Sequence, residues 1–280
     1  MKKVGVQKER CGMERDEQVL AGAVSTVVRT GEIVRRSTGP WSPAVHALLR
    51  HLEDAGFDGA PRFLGVDDRG RELLSFITGD VVSQVRPDVM TENALAELGR
   101  LLRRMHDLAA GFALPDDLAW AYPLETEVPG DPVPCHNDLS PKNVVFRDGL
   151  PVAFIDWDLA APAPGVWDLA HCVWQFVPLV HDAGWIHAGW PEPPPLSIQL
   201  QRMRALVDGY ELGAASRIGF GAVVALRMER TSTGIVALAR AGEPPFVRLR
   251  EQGVIVEIDA ARTWVRQHAP AIDAALMTPD

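Results

Sequence analysis

The 280-residue sequence predicts an α+β fold, with short strands early in the chain and long helices later. Residues 17–79 contain short apolar stretches interrupted by glycine turns, a pattern typical of antiparallel strands. From residue 91 onward, apolar residues recur at helical spacing over longer stretches. A further pair of short apolar strands is predicted between residues 144 and 155.

The first strands are predicted on either side of a tight turn. Val27–Val28 and Ile33–Val34 have strand character, and Thr30-Gly31-Glu32 joins them. Ser42-Pro43 begins a helix that ends near Gly56, because Ser is a common N-cap and Pro fits the first helical turn. These elements predict a small antiparallel sheet with one helix.

The later elements begin with a strand from Arg71 that runs into a connector at Gly79. A helix is predicted from Thr91 to His106, with a Leu and Met stripe that belongs to the core. Three more helices are predicted from Ser197 to Tyr210, from Phe220 to Ala241 and from Val247 to His268.

The chemistry is concentrated in mid-chain. His136-Asn137-Asp138 is followed by Asn143 and, after an apolar hairpin, by Asp156. ATP-dependent phosphoryl transfer needs one carboxylate for the acceptor hydroxyl, and an Asn and an Asp for the metal. Each residue alone is better explained as ordinary loop chemistry. The joint pattern, with apolar strands in the intervals, favours a site.

The hairpin predicts how two of these residues meet. If Val144 faces Ile155 in an antiparallel pair, Asn143 lies beside Asp156, because facing residues are ~5 Å apart. Mg²⁺ binds one or two protein oxygens and completes its shell with phosphate and water. The open end of the hairpin is therefore a predicted Mg²⁺ site.

These motifs resemble the aminoglycoside phosphotransferase family, which has the protein-kinase-like fold. Members read His-Gly-Asp-x-x-x-x-Asn, then Ile-Asp-Phe/Trp-Asp/Glu, then Asp-Leu-Ala. This chain has His136-Asn137-Asp138 to Asn143, Ile155-Asp156-Trp157-Asp158 and Asp168-Leu169-Ala170, and departs at Asn137, where Gly is usual. The resemblance implies two lobes. Residues 1–79 would bind the nucleotide and end in the hinge, and residues 80–280 would form a mainly helical lobe with the catalytic loop, metal site and acceptor site.

The resemblance also implies roles for the motif residues. Asp138 would be the catalytic base or orient the acceptor hydroxyl, while Asn143 and Asp156 would hold Mg²⁺. The supporting residues would be Asp158, which assists the metal or faces the substrate, Asp168, which caps a helix and holds the catalytic loop, and His136, a scaffold residue of that loop.

Nucleotide contacts are implied for the first lobe. Gly22 would lie in the loop that covers the phosphates. Arg35 would be the strand cation that binds phosphate, in place of the usual Lys, with Arg36 as the alternative. Backbone groups of Ser75 and Ile77 in the hinge would recognise adenine.

Relatives pair the strand cation with a Glu on the first helix, and this helix has no Glu at the expected place. Glu53 comes too late, and His46 is the nearest polar candidate. We therefore expect the usual ion pair to be missing or rewired.

The composition limits which binding partners and which cellular location we expect. A net charge of -9 and a pI near 5.4 argue against nucleic acid and are compatible with a cationic small molecule. Three scattered cysteines, no signal peptide and no long apolar run predict a cytoplasmic protein away from membranes. We expect a monomer or weak dimer. The spacing of His171, Cys172, His181 and His187 does not match a zinc site.

The leading hypothesis is a Mg²⁺-dependent phosphotransferase that uses ATP, or GTP, to phosphorylate a hydroxyl of an aminoglycoside or another cationic antibiotic, such as a cyclic basic peptide. Choline, homoserine and sugars are alternative acceptors. A second hypothesis, a catalytically silent nucleotide-binding module, follows from the missing strand Lys and helix Glu. A third is a structural hairpin in an unrelated enzyme. Acidic candidates for contacting the acceptor are Asp182, Glu192, Glu211 and Glu229.

Overall fold

The computed structural model describes residues 17–20, 27–82, 90–122, 128–177, 179 and 194–277, which form a two-lobed α+β protein. In the described part of the smaller lobe, a five-stranded antiparallel sheet with strand order β1-β2-β3-β5-β4 carries one helix, α1. The elements are β1 (Glu17–Leu20), β2 (Val27–Thr30), β3 (Ile33–Ser37), α1 (Ser42–Asp54), β4 (Phe63–Val66) and β5 (Arg71–Ser75).

The larger lobe combines two small sheets with helices. Strand β6 (Asp80–Val81) pairs with β8, β8 with β9, and β7 with β10. The remaining strands are β7 (Pro132–Cys135), β8 (Val144–Arg147), β9 (Leu150–Phe154) and β10 (Ala161–Pro164). The helices are α2 (Glu92–Ala109), α3 (Gly165–Phe176), α4 (Leu196–Gly209), α5 (Ala214–Arg217), α6 (Phe220–Arg240), α7 (Pro244–Glu251) and α8 (Val254–Met277).

Helix α2 forms the centre of the larger lobe. Thr91 caps its N-terminus by accepting a hydrogen bond from the Ala94 N–H at 3.2 Å. In its apolar stripe Leu95, Leu98, Leu102 and Met105 are fully buried, as the periodicity predicts, and Leu101 is partly buried. On another side, a Cβ at Gly99 would lie 2.2 Å from the Leu206 carbonyl oxygen of α4. Glycine at this position therefore lets α2 and α4 pack backbone to backbone.

The predicted pairing of the β8–β9 hairpin is wrong by one residue. Val144 pairs with Phe154, not with Ile155. The two-residue turn sets Arg147 opposite Leu150, and a bulge adds one residue to β9 next to Pro151, which has no N–H to donate to the ladder. The turn and the bulge together determine the register, and the apolar pattern alone does not reveal the bulge.

Two predicted helix boundaries also differ. The helix predicted from Val247 to His268 is two helices, α7 and α8, separated at Gly253, whose φ of 81° ends the first one. Ser42 is the first residue of α1 and not its N-cap. Its hydroxyl accepts a hydrogen bond from the Gly39 N–H at 2.9 Å and so holds the preceding turn.

Among the described helices, none combines the length and the apolar character that crossing a membrane requires.

Candidate active site

The loop that carries Asp138 follows β7 and is held from behind by Asp168. Asp168 is completely buried in the first turn of α3. Its carboxylate accepts hydrogen bonds from the backbone N–H of His136 at 2.8 Å and of Asn137 at 2.9 Å. Two consecutive backbone groups of the loop are thus bound to one side chain, which determines where the loop lies.

The electrostatics of Asp168 suit this task. Burial by itself raises the pKa of a carboxyl group, but the hydrogen bond and charge of His106, followed by His136, outweigh it and hold the pKa of Asp168 at about 2. His106 on α2 lies 3.3 Å from Asp168 through Nε2 and 2.9 Å from the Tyr210 hydroxyl through Nδ1. Asp168 therefore stays ionised and connects α2 to the loop.

Asn137, where the family usually has Gly, adopts a φ of 64°. Asn tolerates this left-handed conformation better than most residues. Its side-chain amide also donates to the carbonyl oxygens of Leu159 at 3.2 Å and Ala161 at 3.1 Å. The replacement therefore preserves the loop conformation and adds contacts that Gly does not make.

Arg227 supports the same residue from α6 and was not singled out in the sequence. It is buried, and its Nη2 donates to the Asn137 carbonyl oxygen at 2.7 Å. The guanidinium carbon lies 5.3 Å from the centre of the Trp167 ring, in a cation–π arrangement. Nothing in the local pattern around Arg227 distinguishes it from a surface Arg on a helix.

His136 is fully buried under the loop. Its Nδ1 accepts a hydrogen bond from the Asp138 N–H at 3.3 Å, and its Nε2 lies 3.0 Å from the Ile155 carbonyl oxygen. Burial lowers the pKa of His136 below its usual value. The ring is therefore neutral and connects the catalytic loop to the end of β9.

Asn143 ties the end of the loop to Asp138. Its side-chain amide donates to the Asp138 backbone carbonyl at 2.7 Å and to the Asp138 carboxylate at 2.9 Å. Both donations use the amide nitrogen, so the amide oxygen of Asn143 remains available to a cation.

Asp138 combines an accessible carboxylate with a raised pKa. Its side chain is 41% exposed. Burial of the rest of the group, and then the like charge of Asp156, raise its pKa to about 7, while Arg227 and the hydrogen bond from Asn143 act in the opposite direction. Its free oxygen is suited to accept a proton.

Asp156 follows β9 in a left-handed conformation, with φ of 67°. The backbone N–H of the preceding residue, Ile155, donates a hydrogen bond to the Asn143 carbonyl oxygen at 2.9 Å. The structure therefore brings Asn143 and Asp156 to the same end of the hairpin. The two residues lie at this end although the register differs from the predicted one, and the backbone turns at Asp156 where an extended strand was expected.

On β3, the Arg side chain that faces the carboxylates of this site is Arg36 and not Arg35. Arg36 is 7% exposed, its Nη1 lies 3.1 Å from an Asp156 oxygen, and its Nη2 contacts Asp158. Successive side chains of a strand point to opposite faces, so Arg35 on β3 cannot face the same carboxylates. Arg36 was the stated alternative.

The partner of Arg36 is Glu72 on β5, a residue that the sequence reasoning missed. Glu72 Oε1 lies 3.2 Å from Arg36 Nε, and Oε2 lies 2.7 Å from His46 Nε2 on α1. The His46 ring stacks on Phe63, with the ring centres 3.7 Å apart. The expected rewiring is therefore observed: the helix supplies His46 and the sheet supplies the carboxylate. A charged residue at an inward position of a strand was the available signal.

The charge around Arg36 favours a further cation. Three carboxylates surround this one guanidinium, those of Glu72, Asp156 and Asp158. They raise the pKa of Arg36, which burial alone would lower. Burial raises the pKa of Asp158 above its usual value. The positive charge of Arg36 lowers it in part, and the negative charge of Asp156 raises it further. Carboxylate and amide oxygens are ligands that Mg²⁺ and Ca²⁺ prefer, so Asp156 and Asn143 fit such an ion.

The hinge connects β5 to β6. The Ser75 N–H donates to the Arg62 carbonyl oxygen at 2.9 Å, and the Phe76 N–H donates to Glu32 at 2.8 Å. The Ile77 N–H has no partner among the described residues and so can donate to a ligand. Gly22 lies outside the described residues.

Two of the four acidic candidates for contacting the acceptor, Glu229 and Glu211, lie among the described residues. Glu229 pairs with Arg262 at 3.3 Å and with Arg266 at 2.7 Å, on the surface between α6 and α8. Glu211 has a φ of 59° beyond the end of α4. Asp182, Glu192, His181 and His187 lie outside the described residues.

The fold and the arrangement of the loop, the hairpin and the strand Arg define the class of the protein. Its structure is similar to that of amicoumacin kinase hAmiN in complex with AMP-PNP and Ca²⁺, with a TM-score of 0.65, 14% identity and coverage of 91% of this chain and 89% of that one. For the GDP complex of aminoglycoside 2'-phosphotransferase-IIIa, the TM-score is 0.57, the identity 13% and the coverage 91% and 93%. A choline/ethanolamine kinase family protein from Mesorhizobium loti gives a TM-score of 0.56 at 16% identity, with 96% and 90% covered. The fold is kinase-like.

The sequence comparisons identify the family. The model of the phosphotransferase enzyme family matches residues 119–210, which contain the catalytic loop and the hairpin. The chain is 39% identical over 202 residues to a trifolitoxin immunity protein of Rhizobium leguminosarum bv. trifolii, covering 71% of this chain and 75% of the relative. The chain therefore belongs to the phosphotransferase enzyme family, and the predicted enzyme class is confirmed. A structural hairpin in an unrelated enzyme is excluded.

Proposed function

We propose that this protein transfers the γ-phosphoryl group of ATP, or GTP, to a hydroxyl of a toxic small molecule or peptide antibiotic. One observation carries the proposal. The hydrogen bonds of Asn143 join the catalytic loop to the Asp138 carboxylate, and the same residue's carbonyl binds the strand end that leads to Asp156. A proton acceptor and two hard oxygen ligands thus converge at one opening of the hairpin, the set that phosphoryl transfer requires.

Each residue has a distinct role in the proposed reaction. Asp138 orients the acceptor hydroxyl and accepts its proton as the oxygen attacks the γ-phosphorus. Asn143 and Asp156 would hold a divalent cation, which when bound neutralises charge on the phosphate oxygens. Arg36 lies at the edge of this site, where a guanidinium can bind phosphate oxygens through two donors. Catalysis is mainly positioning and charge neutralisation.

The nucleotide would bind between the lobes. The Ile77 N–H is free to donate to the base, and Arg36 lies on the neighbouring strand towards the phosphates. Neighbours of this fold were solved with AMP-PNP, GDP and ADP, which supports a nucleotide donor without distinguishing ATP from GTP.

The acceptor is proposed to be an antimicrobial compound. The relative's name concerns immunity to trifolitoxin, and similar folds were solved with amicoumacin-type, gentamicin and streptomycin ligands. The net charge of -9 supports a cationic acceptor. A metabolite acceptor such as choline is the alternative, favoured by the choline/ethanolamine kinase-like neighbour.

A silent nucleotide-binding module was considered because the usual strand Lys and helix Glu are absent. Arg36 and Glu72 supply a buried cation and a carboxylate that pair with each other, and Arg36 also contacts Asp156. The observation that motivated the module therefore no longer favours it, and catalytic transfer is the better proposal.

The deciding experiment is a nucleotide-consumption screen with ATP and GTP in Mg²⁺. The acceptors are trifolitoxin, amicoumacin, several aminoglycosides, choline, homoserine and simple sugars, with mass spectrometry of each product. We expect one antimicrobial class to gain one phosphoryl group. Asp138→Ala is the matched control, and its transfer rate should fall by 10²–10⁴-fold while Mg²⁺–ATP still raises the melting temperature. A variant with the wild-type rate, or consumption without any phosphorylated product, would overturn the proposal.

A further inference from the structure

His171 on α3 is a buried polar residue for which the proposed reaction has so far no role. It is 3% exposed, and neither ring nitrogen has a hydrogen-bond partner within the described part of the chain. Its ring packs edge-on against Trp174, with centres 5.4 Å apart. Because an unsatisfied buried polar group destabilises a fold, its persistence suggests a partner that arrives with the substrate.

The position of His171 indicates which partner that is. Its Nε2 lies 4.0 Å from Oδ1 of Asp138, a separation too long for a hydrogen bond. The other carboxylate oxygen, Oδ2, is held by the Asn143 amide at 2.9 Å. The carboxylate therefore cannot turn towards His171 without losing that contact.

One oxygen atom fits this gap. An oxygen at the usual ~2.8 Å from each atom can hydrogen-bond to Nε2 and Oδ1 at once when these are 4.0 Å apart. The Asp138 side chain is 41% exposed and Nε2 of His171 is buried, so a ligand would approach the gap from the Asp138 side. Burial and the neighbouring Arg227 hold the pKa of His171 well below its usual value, so the ring is neutral and can donate one proton without adding charge.

We propose that His171 Nε2–H and Asp138 Oδ1 together bind the hydroxyl group that receives the phosphoryl group. The imidazole donates a hydrogen bond to the hydroxyl oxygen, and the carboxylate accepts the hydroxyl proton. One lone pair of that oxygen is thereby directed towards the γ-phosphorus. This inference rests on the proposed function and adds to it a second contact with the reacting oxygen.

The atoms balance in this arrangement. A bond forms between the acceptor oxygen and the γ-phosphorus, and the bond from that phosphorus to the bridging oxygen breaks. The bridging oxygen leaves with the electron pair as part of the nucleoside diphosphate. The hydroxyl proton moves to Asp138, and His171 keeps its own proton throughout.

The structural test uses water as the probe. A crystal structure of the wild-type protein with AMP-PNP and Mg²⁺, without acceptor, should contain an ordered water within hydrogen-bond distance of both His171 Nε2 and Asp138 Oδ1. A direct contact between the two side chains would overturn the proposal, because His171 would then only position Asp138. A ring that faces away from Asp138 would overturn it as well.

The kinetic test compares two substitutions at His171. His171→Phe keeps a planar aromatic ring, a larger one, and removes both nitrogens, and His171→Gln retains an N–H donor. We measure ATP hydrolysis, in which water is the acceptor, and transfer to the acceptor that the screen identifies. For His171→Phe we expect kcat to fall about tenfold, the loss of one neutral hydrogen bond, with the KM for ATP unchanged. His171→Gln should recover most of this rate.

A matched control is His51→Phe. The His51 imidazole lies on α1, and its Nε2 is 3.0 Å from the Leu108 carbonyl oxygen. This variant should lower the melting temperature without changing transfer. Wild-type kinetics for a folded His171→Phe variant would contradict the inference alone. A wild-type protein that phosphorylates none of the acceptors would instead contradict the proposed function, and the water in the crystal structure would still decide the inference.

Discussion

Glu72 Oε1 lies 3.2 Å from Arg36 Nε, and both side chains are buried between the sheet and α1. The distance is that of an ion pair, although the two groups are not aligned as a hydrogen bond. Glu72 is also 2.7 Å from His46 on α1. The Glu72 carboxylate thus connects Arg36 on β3 to His46 on α1. The position of α1 and the direction of the Arg36 side chain are therefore coupled.

This coupling predicts the effect of Glu72→Gln. The substitution keeps the shape and removes the charge that holds Arg36, so we expect nucleotide affinity to fall by about tenfold or more, the effect of breaking a buried ion pair. Isothermal titration with Mg²⁺–ATP measures this directly. Glu53→Gln, which removes an exposed ion pair to Arg62 at 3.3 Å, is the control and should bind as the wild type does. Equal affinity in both variants would show that Arg36 needs no partner.

If Asp156 is a metal ligand, the Asp156→Asn variant should still bind the nucleotide but should bind Mg²⁺ poorly. The amide removes one negative charge at the end of β9 and leaves the fold intact, because the Asp156 side chain is 42% exposed. Mg²⁺ should then add little to the melting-temperature rise caused by ATP, whereas in the wild type it should add several degrees. Asp148→Asn at the exposed hairpin turn serves as the control. A full Mg²⁺ effect in Asp156→Asn would place the cation elsewhere.

Asn137→Gly tests what the departure from the family pattern contributes. Gly adopts the φ of 64° readily but loses the amide contacts to Leu159 and Ala161. We expect a loss of ~1–3 kcal/mol in the free energy of unfolding. Asp148→Gly, also at positive φ (52°) but in an exposed turn, should cost less than about 0.5 kcal/mol. Both values come from urea unfolding. Similar losses in the two variants would contradict a specific role for the Asn137 amide.

The ionised state of Asp168 predicts how stability depends on pH. Its pKa is about 2 in the folded protein against 3.8 for the ordinary group, so the unfolded chain binds the proton more tightly. The resulting stabilisation, about 2 kcal/mol, is present above pH 4 and is lost as the pH falls through the folded value. Asp168→Asn should lack this contribution.

Urea unfolding between pH 6 and pH 2.5 measures the difference. The gap in the free energy of unfolding between wild type and Asp168→Asn should narrow as the pH falls. Asp107→Asn, at an exposed carboxylate that pairs with Arg103 at 2.8 Å, is the comparison and should show almost no such narrowing. A gap independent of pH would mean that the carboxylate contributes only by its shape.

The local pattern predicted the two hairpin strands, strands β2, β3 and β5 of the first sheet, and α2, whereas β4 was not predicted. The Asp148-Gly149 turn, with φ of 52° and 77°, and the Leu stripe of α2 depend on neighbours in the chain, and they form where the sequence predicts them. The β9 bulge and the break at Gly253 were not predicted, because the pattern of apolar residues reveals neither an extra residue in a strand nor a positive φ at one glycine.

Within the site, the types of the reacting residues were evident from the spacing of Asp138, Asn143 and Asp156, which lie on one loop and one hairpin. Their supports were not evident. Glu72 comes from β5 and Arg227 from α6, and each meets the site only after the chain has folded.

Residues close together along the chain were thus enough to predict the fold class and the family, and to propose Asp138, Asn143 and Asp156 as the reacting groups. Only the tertiary structure decided that Arg36 and not Arg35 faces the carboxylates, that Glu72 is its partner, and that His171 lies beside Asp138. The physical reason is that a buried charge or imidazole is positioned by elements distant in sequence, which must supply its countercharge and exclude water.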